Sequence, residues 1–274
     1  MGKKAKDPNK LHFKDYLGTT IMGGTDGLAA GIMTGLFMLF LTDYAGIGKW
    51  GAVLGSALLV FARVFDAVND PIEGWIMDRA KVGKYGKYRP FLFLSILLTL
   101  IGVIGLFSLP SGSNNKPVLI CIWVIFFYLL YDIGASFFAP NLIYRSMTLD
   151  SNERGKLLVG PRLFGMIIGM VTAPIISIIN AINVKIANMH RSFVIVISMF
   201  MIGSGIISII GLLLIRERHH VENDEKDQVK ITDIFRLIKN NKALGIKLLD
   251  ALFSGFIWTF LFATMTYYTK WAYC

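Results

Sequence analysis

Cysteine and histidine are scarce and scattered in this chain. There are two cysteines and four histidines in 274 residues. Cys121 lies inside an apolar run and Cys274 is the last residue, so neither a disulfide framework nor a thiolate metal site can be assembled. His12, His190, His219 and His220 lie outside the apolar runs and form no cluster with a Ser or Cys nucleophile. An enzyme is not expected, and no cofactor is implied. Charge is thin as well: 17% of residues are charged, against about 25% in soluble domains. The charge present is lopsided, with 28 Lys and Arg against 18 Asp and Glu, a net +10. In a soluble protein that surplus would suggest nucleic acid. Here the basic residues sit between apolar runs, so nucleic acid is not an expected partner and the charge reads as topology. No cleavable signal is expected either. The basic segment from Lys3 to Lys14 is followed by a long apolar run without a small-residue cleavage site.

Apolar residues are what the chain has in quantity: 54% hydrophobic, with a mean hydropathy of +0.58. A spanning helix needs roughly 20 mostly apolar residues. Seven such runs are legible, at about 17–42, 48–77, 90–109, 117–144, 160–183, 192–215 and 245–269. A bilayer offers no water to backbone groups, so each run should be a helix. The fold class is therefore all-α, a polytopic membrane protein whose constant partner is the lipid bilayer.

Lys and Arg concentrate on the N-terminus and on the second, fourth and sixth connections. Only Lys49, Lys116, Lys185, Arg191 and Lys270 lie on the opposite side. By the positive-inside rule this places the N-terminus in the cytoplasm of a multi-pass protein of the cell inner (plasma) membrane. Three parts are expected: a six-helix bundle over 1–217, a charged cytoplasmic linker over 218–244, and the first helix of a second bundle over 245–274. In the linker, Ile231, Ile234, Phe235 and Ile238 recur at helical spacing and suggest an amphipathic helix. The close of the first run, Leu36 to Tyr44, is weakly echoed by Phe260 to Tyr268. Transporters are often built from repeated halves, so an incomplete chain is expected.

Ionisable residues inside spanning helices are costly, which makes them functional candidates. Asp26 in the first helix, Arg63, Asp66 and Asp70 in the second, and Asp132 in the fourth qualify. The second helix reads Arg63-Val-Phe-Asp66-Ala-Val-Asn69-Asp70-Pro71. Asp66 and Asp70 are four apart and share a face, where like charges repel. A positive species should sit between them: an alkali cation, a proton or a basic side chain. Pairing with Arg63 is the structural alternative, but one arginine cannot neutralise Asp66, Asp70 and Asp132 together. Tyr128 shares a face with Asp132, and acids beside an aromatic ring suit a polyhydroxylated solute. Arg162, after Gly160-Pro161, is expected to open the fifth helix. The stretch Gly74-Trp-Ile-Met-Asp78-Arg79 resembles the G-x-x-x-D-R signature of the major facilitator superfamily. Gly74, Asp78 and Arg79 are accordingly expected to gate the cytoplasmic face.

Together these stretches resemble the glycoside–pentoside–hexuronide:cation symporter family. The resemblance is carried by Leu41-Thr-Asp-Tyr-Ala-Gly46, by Arg63 through Arg79, by Gly86-Lys-Tyr-Arg-Pro90, by Asp132 with Pro140, and by Thr148 through Arg154 leading to Pro161-Arg162. It implies a major facilitator fold of two six-helix bundles and coupled uptake of a sugar or glycoside. It implies a cation site at Asp66, Asn69, Asp70 and Asp132, with Asp66 and Asp70 as alkali-metal ligands if the ion is not a proton. It implies a sugar site at Asp26, Tyr128, Asp132 and Arg162. Leu129 stands three residues before Asp132, where sodium-using members carry a hydroxyl, so the ion is left as Na+ or H+.

Overall fold

The computed structural model describes residues 11–109, 117–172, 174–219, 236 and 240–272. Ile231, Ile234, Phe235 and Ile238, where the amphipathic linker helix was expected, lie outside the described residues. The described chain is built from helices, and its one β feature is an isolated bridge between Gly83 and Gly86.

The first run folds as α1 (Phe13–Met22) and α2 (Gly24–Leu39), broken at Gly23 and closed by a π-helical turn at Phe40–Tyr44. Helix α1 starts earlier than the apolar pattern suggests because Asp15 caps it, accepting from His12 N at 2.8 Å. The second run is α3 (Lys49–Arg79), bent by 41° between Lys49–Asp66 and Val68–Arg79. Pro71 has no N–H for the carbonyl four residues back, which permits the bend. The third run is α4 (Arg89–Phe107). The fourth is split into α5 (Pro117–Ser136) and α6 (Pro140–Met147). Pro140 sits in the first turn of α6, where its missing N–H costs nothing.

The fifth run departs most from expectation. Helix α7 (Ser151–Thr172) begins nine residues before the expected start at 160, and α8 (Ile175–Ile186) continues it. The Asp150 carboxylate accepts from Asn152 N at 2.8 Å, a local cap that starts the helix there. Arg162 therefore lies in mid-helix and does not open the span, and Pro161 is carried inside α7. Helix α9 (Met189–Leu214) is the sixth run and α10 (Lys242–Ala272) the seventh. Among the described residues, five helical stretches are long and apolar enough to cross a membrane, or six when the bent α3 counts as one span. The chain is an all-α, multi-pass membrane protein.

Hydrophobic attraction is weak between helices in lipid, so small residues that allow close approach carry the packing. A Cβ on Gly102 of α4 would lie 2.5 Å from Tyr131 N, and one on Gly134 of α5 would lie 2.7 Å from Thr99 N. The backbones of α4 and α5 thus touch directly. Gly18 of α1 and Gly211 of α9 make the same kind of crossing. An aromatic core of Phe37, Phe40, Phe107 and Phe193 fills the middle of the bundle. Helix α10 lies against α2.

The segment after α9 ties one end of the bundle together. The Glu217 carboxylate accepts from Lys87 N, Tyr88 N and Arg89 N at 2.8, 2.9 and 2.9 Å, and so caps α4 from far along the chain. Gly86, at φ +96°, has to be glycine twice over: a Cβ there would lie 2.5 Å from that carboxylate. Arg218 N and His219 N both donate to Ser146 O at 2.8 Å, and the Arg218 guanidinium pairs with Asp15 at 2.5 Å.

Candidate ion and solute site

A cavity of about 140 Å³ opens among α2, α3 and α5. Met33, Thr34, Phe37 and Met38 line it from α2. Leu59, Ala62, Arg63 and Asp66 line it from α3, and Tyr128, Tyr131 and Asp132 from α5. At about 30 Å³ per water it has room for an ion with a few waters, or for part of a hydroxylated ring. Its aromatic wall is continuous: Phe37 and Tyr128 have ring centroids 5.2 Å apart, and Tyr128 and Tyr131 6.2 Å.

The polar centre is electrostatically incomplete. Arg63 Nη1 lies 3.7 Å from Asp66 Oδ2, with the two side chains 50% and 27% exposed. So long and open a pair contributes little. Asp132 is 9% exposed and its Oδ2 is buried without a hydrogen-bond partner among the described residues. The Asp66 and Asp132 carboxyls are close enough to interact directly. Two facing carboxyls, one of them buried, favour a proton or a cation between them.

The other expected site residues are placed as follows. Asn69 donates its amide to Glu73 Oε1, and Asp70 is exposed; neither lines the cavity. Asp26 is half-buried on α2, three residues past the break at Gly23, and it lies within electrostatic reach of Tyr131 without lining the cavity. Arg162 is exposed on α7 and lies outside the lining. Of the expected sugar residues, then, the cavity brings together Tyr128 and Asp132. Thr25, just before Asp26, is tied down: its N and Oγ1 both meet Ser208 Oγ, at 2.8 and 2.9 Å.

Glu73 escaped the sequence reading. It is 3% exposed, and its Oε2 is buried without a partner among the described residues. The signal was available: Leu58, Ala62, Asp66, Asn69, Glu73 and Met77 recur at helical spacing and form one inward stripe of α3.

At the expected gate, Lys87 Nζ donates to the backbone carbonyl of Asp78 at 2.7 Å, and the Arg79 guanidinium lies 4.0 Å over the Trp75 ring. Among the described residues no atom lies within 4 Å of where a Cβ on Gly74 would sit. Gly74→Ala is therefore expected to leave the bundle intact and to stabilise α3 by about 0.5–1 kcal/mol, the usual helix-interior gain. Thermal unfolding in detergent reads this, and a clear fall in melting temperature would reveal a close neighbour that the bundle lacks.

Comparison with known proteins matches residues 22–272 to the family described as MFS/sugar transport protein. An uncharacterized symporter of Bacillus subtilis (strain 168) is 24% identical over 84% of this chain and 49% of its own length. A lactose permease of Lactobacillus helveticus is 26% identical over 77% of the chain and 35% of its own length. A sodium-dependent lysophosphatidylcholine symporter of Danio rerio is 26% identical over 68% and 39%. The chain thus spans half or less of the length of these relatives.

Proposed function

The chain belongs to the MFS/sugar transport protein family, and from that premise we propose that it forms the ion- and solute-binding part of a cation-coupled sugar symporter. The observation that carries this is the cavity at which Asp132, its Oδ2 without a hydrogen-bond partner among the described residues, meets Asp66 beside Tyr128 and Tyr131. The coupling ion, Na+ or H+, is taken up between Asp66 and Asp132, with Asn69 and Asp70 on the next turn of α3. Its charge offsets the acids and leaves Asp132 free to orient solute hydroxyls. Asp26 and Arg162, on the packed helices α2 and α7, complete the solute site when a second bundle closes over the first. Exposed apolar residues of α3 and α7, among them Val60, Val64, Leu163 and Met166, suit that closure. Rocking of the two bundles gives access from alternate sides, with Gly74, Asp78 and Arg79 at the cytoplasmic gate and the N-terminus on the inner side of the plasma membrane.

A second reading has its own support. Met33, Phe37, Met38 and Leu59 make one wall of the cavity apolar, which suits an amphiphile, the solute class in the name of the Danio rerio relative.

The test is uptake of labelled glycosides and of a labelled lysophospholipid by cells making the whole gene product, with sodium and pH varied separately. Asp66→Cys should cut cation-driven uptake by at least about tenfold, since a charged ligand contributes about 1.5–3 kcal/mol. Asp70→Cys should cut it less, because Asp70 lies outside the cavity lining. Uptake that ignores both changes would remove the coupling assignment.

A further inference from the structure

The bundle has two hydrophobic cores stacked along its length. The larger holds Phe37, Phe40, Phe107 and Phe193 and, through Ala62 and Tyr128, part of the cavity wall. The smaller is built from Met22, Leu92, Ile143, Met147, Leu157 and Leu212. Among the described residues no buried side chain belongs to both, and Leu100 of α4 packs against each. Two helices run unbroken through the pair as posts. Helix α4 gives Leu92 to the smaller core and Phe107 to the larger, and α9 gives Phe193 to the larger and Leu212 to the smaller.

Three other stretches are interrupted where they pass between the cores. The first break is Gly23, between α1 and α2. In an unbroken helix Thr25 N would donate to the carbonyl of Ile21; here it donates to Ser208 Oγ of α9 at 2.8 Å. The second break is residues 137–139, between α5 and α6. Phe138 N turns to Ala135 O at 3.0 Å, and the carbonyl of Gly134 accepts from Ser95 Oγ of α4 at 2.6 Å. Each freed backbone group is thus taken by a serine of a post, which fixes α2 and α5 on one side of the breaks. The two breaks touch: a Cβ on Gly23 would lie 3.5 Å from the Phe138 ring. In α7, Pro161 falls between Leu157 of the smaller core and Ile168 against the larger, and it offers no N–H to the Leu157 carbonyl.

On the other side of the breaks, α1, α6 and the first turns of α7 are joined to one another. Tyr16 Oη of α1 donates to Glu153 Oε2 of α7. Arg218 pairs with Asp15 of α1 at 2.5 Å, while Arg218 N and His219 N donate to Ser146 O of α6 at 2.8 Å. Glu217 fastens the same segment to the start of the post α4. We infer that α1, α6 and the first turns of α7 form a lid that swings as one unit on the breaks at Gly23, residues 137–139 and Pro161, with residues 217–219 as its latch. Swinging costs few helical hydrogen bonds, because those at the breaks are already given over to the posts. The cavity wall stays behind with the larger core. Use of the lid as an inner gate to the cavity rests on the transport reading and orientation above; the lid itself rests on the two cores, the paired breaks and the latch.

The test is native-state hydrogen exchange, read by mass spectrometry, on the purified full chain in lipid nanodiscs. In the wild type under rising denaturant, α1, α6 and residues 151–160 should exchange at one common rate, at least about tenfold faster than α2 and α5. Arg218→Gln removes the charged donor of the latch and Asp15→Asn its charged acceptor. Each should speed exchange of all three lid segments by at least about tenfold and leave α2 and α5 unchanged, as loss of a hydrogen bond to a charged group implies. The double variant should be no faster than the faster single one, because both changes break the same pair. Equal exchange of α1 with α2, or of α6 with α5, in the wild type overturns the lid whether or not a variant folds. So do variants that loosen α1 alone, or both cores alike. Lid exchange as expected in a chain without cation-driven uptake keeps the lid and removes the gate. Cation-driven uptake with uniform exchange keeps the transport reading and removes the lid.

Discussion

Asp132→Asn is expected to give a protein that is at least as stable as the parent in cation-free buffer yet transports about 10–100-fold less with cation present. The two halves of this result come from one cause. Asp132 Oδ2 is buried without a hydrogen-bond partner among the described residues, and its carboxyl meets Asp66. Replacing it with an amide of the same shape removes the like-charge contact, which relieves the folded state. The same replacement removes one charged ligand from the cation, a loss of about 1.5–3 kcal/mol, or about 10–100-fold in affinity. Thermal unfolding in detergent separates the effects. Wild type should gain stability as the coupling ion is titrated in, because anything that binds only the folded state stabilises it. Asp132→Asn should show little of that gain. A wild-type melting temperature indifferent to sodium, lithium and pH alike would sink the cation site, and so would a variant that still responds fully.

The parts of this molecule legible from sequence are those set by one strong physical rule. Apolar runs of spanning length gave the helices, because the bilayer leaves the backbone no alternative. The acidic stripe on α3 stood out because buried charge is rare. Boundaries set by weak local chemistry were harder. Asp150 starts α7 through one side-chain hydrogen bond, a signal masked by the Gly160-Pro161 pair, which looks like a break. The split of α5 from α6 and the break at Gly23 depend on which neighbours cover the freed backbone, and no periodicity reports that. Within the site, Asp66 and Asp70 are equivalent in sequence, yet one lines the cavity and the other is exposed. The bend in α3 and the position of α5 distinguish them, and both are tertiary. Glu73 was overlooked because an acid just after Asp70-Pro71 reads as the approach to the membrane surface, whereas its helical face turns it inward. Glu217 was invisible for a different reason: its three partners lie about 130 residues earlier in the chain.

Gly102→Ala is expected to be among the more damaging single methyls added to this bundle. The added carbon would sit 2.5 Å from Tyr131 N and 2.7 Å from Tyr131 Cα. Both are backbone atoms, so no rotamer change can make room and α5 itself has to move. Forced overpacking of that kind costs about 1–3 kcal/mol. Separating α4 from α5 also weakens the close contacts that hold helices together in lipid. The displaced segment carries Tyr131 and Asp132, so the cavity should lose its acidic wall and cation-dependent stabilisation should fall together with the melting temperature. Two other glycines calibrate the effect. At Gly105 the added carbon would meet the Phe127 ring at 2.1 Å, a side chain that can swing aside at smaller cost. At Gly35 an added Cβ would meet no described atom within 4 Å, so alanine there should stabilise α2 by about 0.5–1 kcal/mol. The expected order of melting temperatures is Gly35→Ala above wild type, then Gly105→Ala, then Gly102→Ala. Adding Gly134→Ala to Gly102→Ala should cost less than the sum of the two, because one separation of α4 from α5 relieves both clashes. Melting of Gly102→Ala alongside Gly35→Ala would mean that these helices do not touch through their backbones, and the placement of Asp132 opposite Asp66 would fail with it.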